Sequence, residues 1–378
     1  MCKKAFKIGL AALLACGMLA GCGNSQEISS SNISTENAAV ETSVTSSEAP
    51  STEASQASSE AVEEIDRTNM YRSELTNEWI DKSLENQRPV AVIVDNEKTA
   101  LDHYGLTQAD IVYEIMNSTA NDEVTRLMAI VKDWGSITRF GSIRSARPTH
   151  FMIAPEYDAV LIHDGGPFYI NDYVANPWIT NLSGGFARID NGKPREFTEY
   201  VTTGEIESRM NANRYSTEYT NYYPGAHWQF ADETAPVDFT GKSDAKDCTF
   251  IDLPFPHNKS ELAYDEATAT YLYSEYGMKH IDPENDNKQL AFTNVIIQCA
   301  DYTLLDQNGY MQFNIVNENG KGYYITGGKS IPITWKKGKD TDLTKYYDAS
   351  GAAEITLNTG KTYIGFVAES RWNELVLN

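Results

Sequence analysis

Cysteine is scarce, with 5 residues in a chain of 378. That excludes a disulfide-stapled scaffold and a multi-cysteine zinc or iron–sulfur site. Basic residues are few as well: 31 Lys and Arg stand against 53 Asp and Glu, a formal net charge of −22. A field of that sign repels DNA and RNA, so nucleic acid is not an expected partner. No Gly-x-Ser-x-Gly elbow, phosphate-binding loop or dinucleotide fingerprint occurs, and His103, His150, His227, His257 and His280 show no ligand spacing such as His-x3-His. Neither a metal nor another cofactor is expected. What the chain does hold is apolar residues, 41% of the total, enough for a sizeable core.

The beginning of the chain reads as an export signal. Lys3, Lys4 and Lys7 precede an apolar run from Ile8 to Leu19. About a dozen residues are too few for a membrane-spanning helix, which needs roughly 20, but they suit a secretory signal peptide. The run ends in Leu19-Ala20-Gly21-Cys22, which resembles the lipobox of bacterial lipoproteins. Cys22 is therefore the expected lipidation site, and a diacylglycerol there would hold the protein on a membrane. Residues 1–22 form the signal peptide on this reading.

Residues 23–64 contain no Lys, no Arg and no aromatic residue; 16 of these 42 positions are Ser or Thr and 8 are Glu. Such a stretch cannot bury enough apolar surface to offset its conformational entropy, which predicts a disordered tether. As a coil it would span roughly 35–40 Å. The remaining body, residues 65–378, keeps a formal charge of −17. Its two cysteines, Cys248 and Cys299, sit in apolar contexts. They are either buried free thiols or the disulfide that an extracellular setting permits.

The body contains two kinds of sequence. From 65 to 240 short apolar runs alternate with helix-start signals: Val90 to Val94, Ile111 to Met116, Arg126 to Val131 and Ala159 to His163 read as strands. Thr107 to Asp110 reads as a helical turn, and Ser145 to Pro155 carries apolar residues at helical spacing. From 241 to 378 short alternating segments are punctuated by Asp306-Gln307-Asn308-Gly309, Asn317-Glu318-Asn319-Gly320 and Gly327-Gly328, all turn chemistry. The predicted class is α+β. A mixed α/β layer domain over 65–240 is followed by a smaller, mainly antiparallel β domain over 241–378.

One cluster runs against the acidic background. Arg126, Arg139, Arg144 and Arg147 fall within 22 residues, and Ser145 lies between two of them. Guanidinium forks pair with carboxylate or phosphate, and a helix start after Arg147 would add backbone donors. Asp95 and Asn96 close a buried strand expected on the same edge, so Arg126, Arg144, Arg147, Ser145, Asp95 and Asn96 form the candidate anion site. The alternative is structural: Arg126 and Arg144 pair internally with Asp95, Asp110 or Glu114. His163 and Asp164, before Gly165-Gly166, are acid/base candidates for an enzyme, or His163 is a satisfied strand-end histidine.

These residues also carry a family resemblance. Arg88-Pro89-Val90-Ala91-Val92-Ile93-Val94-Asp95-Asn96, Gly105 to Glu114, Thr125-Arg126, Ile143 to Pro148, Glu156-Tyr157-Asp158-Ala159 and His163 to Gly166 resemble the YerB-like lipoproteins, built on a domain of unknown function (DUF3048). Asn294 to Ile297, Gly322-Tyr323-Tyr324, Gly328-Lys329, Ile333 to Lys336 and Asn358 to Thr362 are similar to the family's C-terminal domain. The resemblance implies a membrane-anchored extracytoplasmic lipoprotein with two linked domains and no established reaction. Two departures stand out. Family members usually carry an acidic Glu-Gly element where this chain has Asn117 to Glu123. After Gly185-Phe186-Ala187-Arg188 they tend to have Pro-His-Asn, and here the chain reads Pro194-Arg195-Glu196. If that histidine does chemistry in relatives, this chain has lost it, which tilts the reading away from an enzyme.

The expected function is a non-catalytic binding or adaptor module on the outer face of the cytoplasmic membrane of a Gram-positive-type bacterium. Its partners would be the membrane, through Cys22, and an anionic wall component or an envelope protein. The alternative is a hydrolase or transferase acting on peptidoglycan or an anionic wall polymer through His163 and Asp164. A transporter's solute-binding protein needs two similar α/β lobes, which the β-rich second half argues against.

Overall fold

Strand Val90–Asp95 is buried along its whole length, as its β-branched run predicts. The computed structural model describes residues 66–378; the signal segment 1–22 with Cys22 and the tether 23–64 lie outside them. Ile111–Met116, Thr125–Val131 and Thr362–Ala368 are equally buried. These four make the middle of an 11-stranded sheet. Its order is Lys246–Asp247, Lys329–Lys337, Asn317–Thr326, Asn294–Ala300, Thr362–Ala368, Ile111–Met116, Thr125–Val131, Val90–Asp95, Val160–His163 and Thr180–Ser183, with Lys345–Asp348 beside Lys329–Lys337.

Successive side chains feed two cores. Ala91, Ile93, Ile111 and Tyr113 point into one, and Val90, Val92, Val94 and Val112 into the other. Phe151 of helix Pro148–Ile153, Trp228 and Phe313 close the first. Ile251, Leu262, Tyr271 and Tyr273, from a second antiparallel sheet, pack in the other.

Helix is sparse, which corrects the expected α/β layer. Among the described residues the α-helices are Pro148–Ile153, Asn171–Val174 and Glu205–Asn213, and the chain is mainly β. The helical spacing of Ser145 to Pro155 yields only six α-helical residues. Pro155 has no N–H to continue the ladder, the chain tightens into the 3-10 turn Ala154–Tyr157, and Asp158 reverses it at φ 49°. The helical turn expected at Thr107 to Asp110 is the 3-10 turn Leu106–Gln108.

The second half is largely antiparallel, as its turn chemistry predicts. Gly327-Gly328 joins Thr326 to Lys329 with positive φ at both glycines, the geometry of a two-residue hairpin. Asn317 to Gly320 is different: it lies inside strand Asn317–Thr326 as an irregularity, where a side chain on Gly320 would collide with the Trp335 ring. Strand Thr362–Ala368 pairs in parallel with Ile111–Met116 and with Asn294–Ala300. The change of sequence character near 240 is therefore spanned by one continuous sheet. Cys248 and Cys299 are buried free thiols.

Candidate functional site

The sheet brings most of the arginine cluster to one place. Asp95 and Arg126 are directly opposite in the antiparallel register of their strands. Ile143 bridges Val94, and the Arg144 amide donates to the Ile93 carbonyl at 2.9 Å, so the 143–147 segment crosses the same strand end. Asp95, Arg126, Arg144 and Arg147 line a cavity of ≈ 250 Å³ together with Asn117, Ser118, Asn121, Asn308 and Tyr310.

Arg144 is paired with carboxylates on two sides. Its Nε lies 2.7 Å from Asp95 Oδ2, an ion pair whose N–H is not aimed at the oxygen, and Nη2 lies 2.5 Å from Glu196 Oε2. Glu196 belongs to the Pro194-Arg195-Glu196 segment. Arg139 is apart, paired with Glu284 at 2.7 Å and stacked over Tyr104.

Arg126 and Arg147 differ from the other buried cations among the described residues. Arg88 pairs with Asp158 at 2.9 Å, Lys132 with Glu74 at 2.6 Å and Lys337 with Glu156 at 2.8 Å. Arg126 and Arg147 are only 7% and 8% exposed, yet no carboxylate lies within ion-pair distance of either. Arg126 donates to the Ser145 carbonyl, and Arg147 to the Ala146 carbonyl at 3.0 Å; the Arg147 Nε has no partner. Burial, reinforced by the neighbouring Arg147 cation, pushes the Arg126 guanidinium down to about 9; burial pushes Arg147 to about 10. An anion between them would reverse both shifts.

The acids on the cavity wall do not fill that role. Asp95 faces Arg144, and Glu97 accepts from Asn121 and lies 3.0 Å from His257 Nε2. Tyr310 lies under Arg147, with the guanidinium carbon 5.0 Å from the ring centre. Asn117 contributes a buried side-chain oxygen without a partner. Asn117, Asn308 and Tyr310 were not legible as site residues. Asn117 directly follows strand Ile111–Met116, and the other two come from the Asp306-Gln307-Asn308-Gly309 turn and the position after it.

Other candidates sit elsewhere. The Ser145 hydroxyl does not line the cavity; its carbonyl does the work of accepting from Arg126. The Arg147 amide is capped by His150 Nδ1 at 2.9 Å, so the helix start offers no free donor there. Asn96 is fully buried behind the cavity, donating to Thr125 at 2.9 Å and Glu114 at 3.4 Å. His163 is buried, with Nδ1 2.7 Å from the Gly165 carbonyl and Nε2 3.2 Å from Asn181. Asp164 lies 3.2 Å from Arg188. Neither lines the cavity.

Glu114 anchors the floor behind Asn96. Its carboxyl accepts from Thr125 and Ser260, both at 2.7 Å, from Tyr273 at 2.9 Å and from Tyr363 at 2.6 Å. No cation pairs with it, and burial pushes it up to about 7 despite those hydroxyls. A carboxyl raised above its unfolded value stabilises the fold below about pH 4.5 and loses that contribution as pH rises through 7. Glu114→Gln, which keeps the neutral form, should therefore gain on the parent by roughly 3 kcal/mol between pH 4.5 and pH 8. Urea unfolding of both proteins at the two pH values checks this; a constant difference would contradict it.

Comparison with known proteins places this architecture. The N-terminal domain described as a protein of unknown function (DUF3048) matches residues 75–216, and its C-terminal domain matches 251–364. The "Putative lipoprotein YerB" of Bacillus subtilis (strain 168) is 27% identical over 285 residues, which cover 72% of this chain and 80% of that protein. The crystal structure of YerB protein from Bacillus subtilis aligns with a TM-score of 0.66 at 22% identity, over 79% of this chain and 96% of that one. At that identity the likeness speaks for the fold. The chain belongs to the DUF3048 family and carries its two domains in order.

Proposed function

We propose that the protein is a lipid-anchored extracytoplasmic binding module that holds an anionic group of a cell-envelope component between Arg126 and Arg147. The carrying observation is that, among the described residues, these two buried guanidiniums have no carboxylate at ion-pair distance while the other buried cations, Arg88, Lys132 and Lys337, do. A buried charge left uncompensated is costly, and a site built to receive an anion is the reason such a cost is retained. Tyr310 and the amides of Asn117, Asn121 and Asn308 supply a polar wall for the rest of the ligand. His163 has both ring nitrogens engaged and lines no part of the cavity, which favours binding over hydrolysis. Calorimetric titration of the unlipidated Cys22→Ala protein with inorganic phosphate, and with a soluble phosphate-bearing wall-polymer fragment, tests the reading. Saturable binding to the parent that is lost in Arg147→Met supports it, and absence of binding to either ligand removes it.

The anchor is Cys22, on the outer face of the cytoplasmic membrane of a Gram-positive-type cell. The lipobox-like Leu19-Ala20-Gly21-Cys22 and the lipoprotein name of the Bacillus subtilis relative support this. A lipid precursor should label the parent in cells and leave Cys22→Ala unlabelled and released from the membrane. A labelled, membrane-bound Cys22→Ala would contradict the anchor.

A further inference from the structure

His103, Glu275 and His280 meet on the face of the sheet away from helix Pro148–Ile153. Sequence spacing hid them, since His103 follows strand Val90–Asp95 while the other two flank the tip of the hairpin Thr270–Glu275 and Met278–Lys279. All three are buried, at 0%, 1% and 3% exposure. One potential ligand atom from each lies within 4.8 Å of the others. The two imidazoles have ring centres 4.9 Å apart, and His280 Nδ1 is 2.9 Å from Glu275 Oε1.

Three nitrogens here are left over: both ring nitrogens of His103 and Nε2 of His280 have no hydrogen-bond partner. The Asp95 carbonyl faces the His103 ring but does not reach hydrogen-bond geometry. A neutral imidazole always carries one donor and one acceptor, so His103 buries both unsatisfied, which proteins rarely tolerate. A cation is the simplest group that satisfies lone pairs from two imidazoles and a carboxylate at once.

We propose that His103, Glu275 and His280 form a buried site for a divalent transition-metal ion of the zinc class, tying the hairpin tip to the segment after the first central strand. Two imidazoles and one carboxylate are a zinc-type donor set, softer than the all-oxygen shells of calcium and magnesium. Tetrahedral ligands at about 2.0 Å stand roughly 3.3 Å apart, so the widest pair here must close by about an ångström or more. Outer partners are in place. The Asn258 amide reaches Glu275 at 3.5 Å and the Asn96 carbonyl at 2.6 Å, and Asp102 and Asp282 add negative charge beside His280. Burial of every ligand leaves no entry for a substrate, so the role is structural.

The test uses the Cys22→Ala protein stripped with EDTA and dialysed against Zn2+ or Co2+. The site predicts one tightly held equivalent, a visible absorption band with Co2+, and a raised melting temperature. His103→Gln should weaken binding by more than the roughly 10–100-fold that loss of an outer-shell partner costs. His257→Gln, which removes the half-buried histidine beside Glu97, should bind like the parent. Less than one equivalent on the parent overturns the proposal, as does full retention in a folded His103→Gln. If His103→Gln does not fold, the parent and His257→Gln decide: an equivalent lost in His257→Gln overturns it, and one retained there upholds it.

Discussion

Glu156→Ala should lower the unfolding free energy by about 3–5 kcal/mol, the cost of breaking a buried ion pair from one side. Glu156 is 1% exposed and binds three residues from other parts of the chain. Lys337 Nζ and His227 Nε2 each lie at 2.8 Å, and the Thr344 amide and hydroxyl donate at 2.7 and 2.9 Å. Burial alone would raise the carboxyl, but Lys337 and the His227 hydrogen bond outweigh it and hold the group at about 2. The contribution is therefore present above pH 4.5 and lost only as pH falls through 2. Alanine strands Lys337, whose side chain has no exposed surface. Replacing both partners, as in Glu156→Leu with Lys337→Met, should recover most of the loss, because two apolar groups leave no buried charge behind. Urea unfolding at pH 7 reads both effects; a loss below about 1 kcal/mol for the single variant would show that the network carries little stability.

Arg126→Met should do the opposite and raise the stability of the ligand-free protein by about 1–2 kcal/mol. Methionine removes a buried cation that no carboxylate meets at ion-pair distance, at the expense of one hydrogen bond to the Ser145 carbonyl and a longer-range attraction to Asp95. Arg144→Ala marks the contrast. It leaves Asp95, 2% exposed, without its ion pair and should destabilise by about 2 kcal/mol, less than a fully buried pair because Arg144 is 25% exposed. Opposite signs for two arginines on one cavity would separate a ligand-binding residue from a structural one. A substantial loss of stability in Arg126→Met would instead mean that the guanidinium is held by the fold for its own sake.

Much of this was legible in the chain. The β-branched run Val90 to Val94 predicted a strand buried on both faces, and Gly327-Gly328 predicted its hairpin, because those signals are local. Arg126, Arg144 and Arg147, with Asp95 beside them, were also legible as a cluster, since a concentration of cations in a body of net −17 needs a reason. The α/β layer was misread because helical spacing near Ser145 says nothing of where Pro155 and the positive φ of Asp158 end the helix. Long-range partners were out of reach altogether. Tyr310 meets Arg147, and His103 meets His280, only through contacts between residues far apart in the chain, which no local signal encodes.

The most direct measurement is the melting temperature of the Cys22→Ala protein across a phosphate titration at constant ionic strength, with the same series on Arg126→Met. An anion that binds only the folded state adds about 2.7 kcal/mol at a hundredfold excess over its Kd. Phosphate should give a specific, saturable rise for the parent protein and a flat line, from a higher starting point, for Arg126→Met. A parent protein indifferent to phosphate, or a rise that survives in Arg126→Met, would contradict the proposed site.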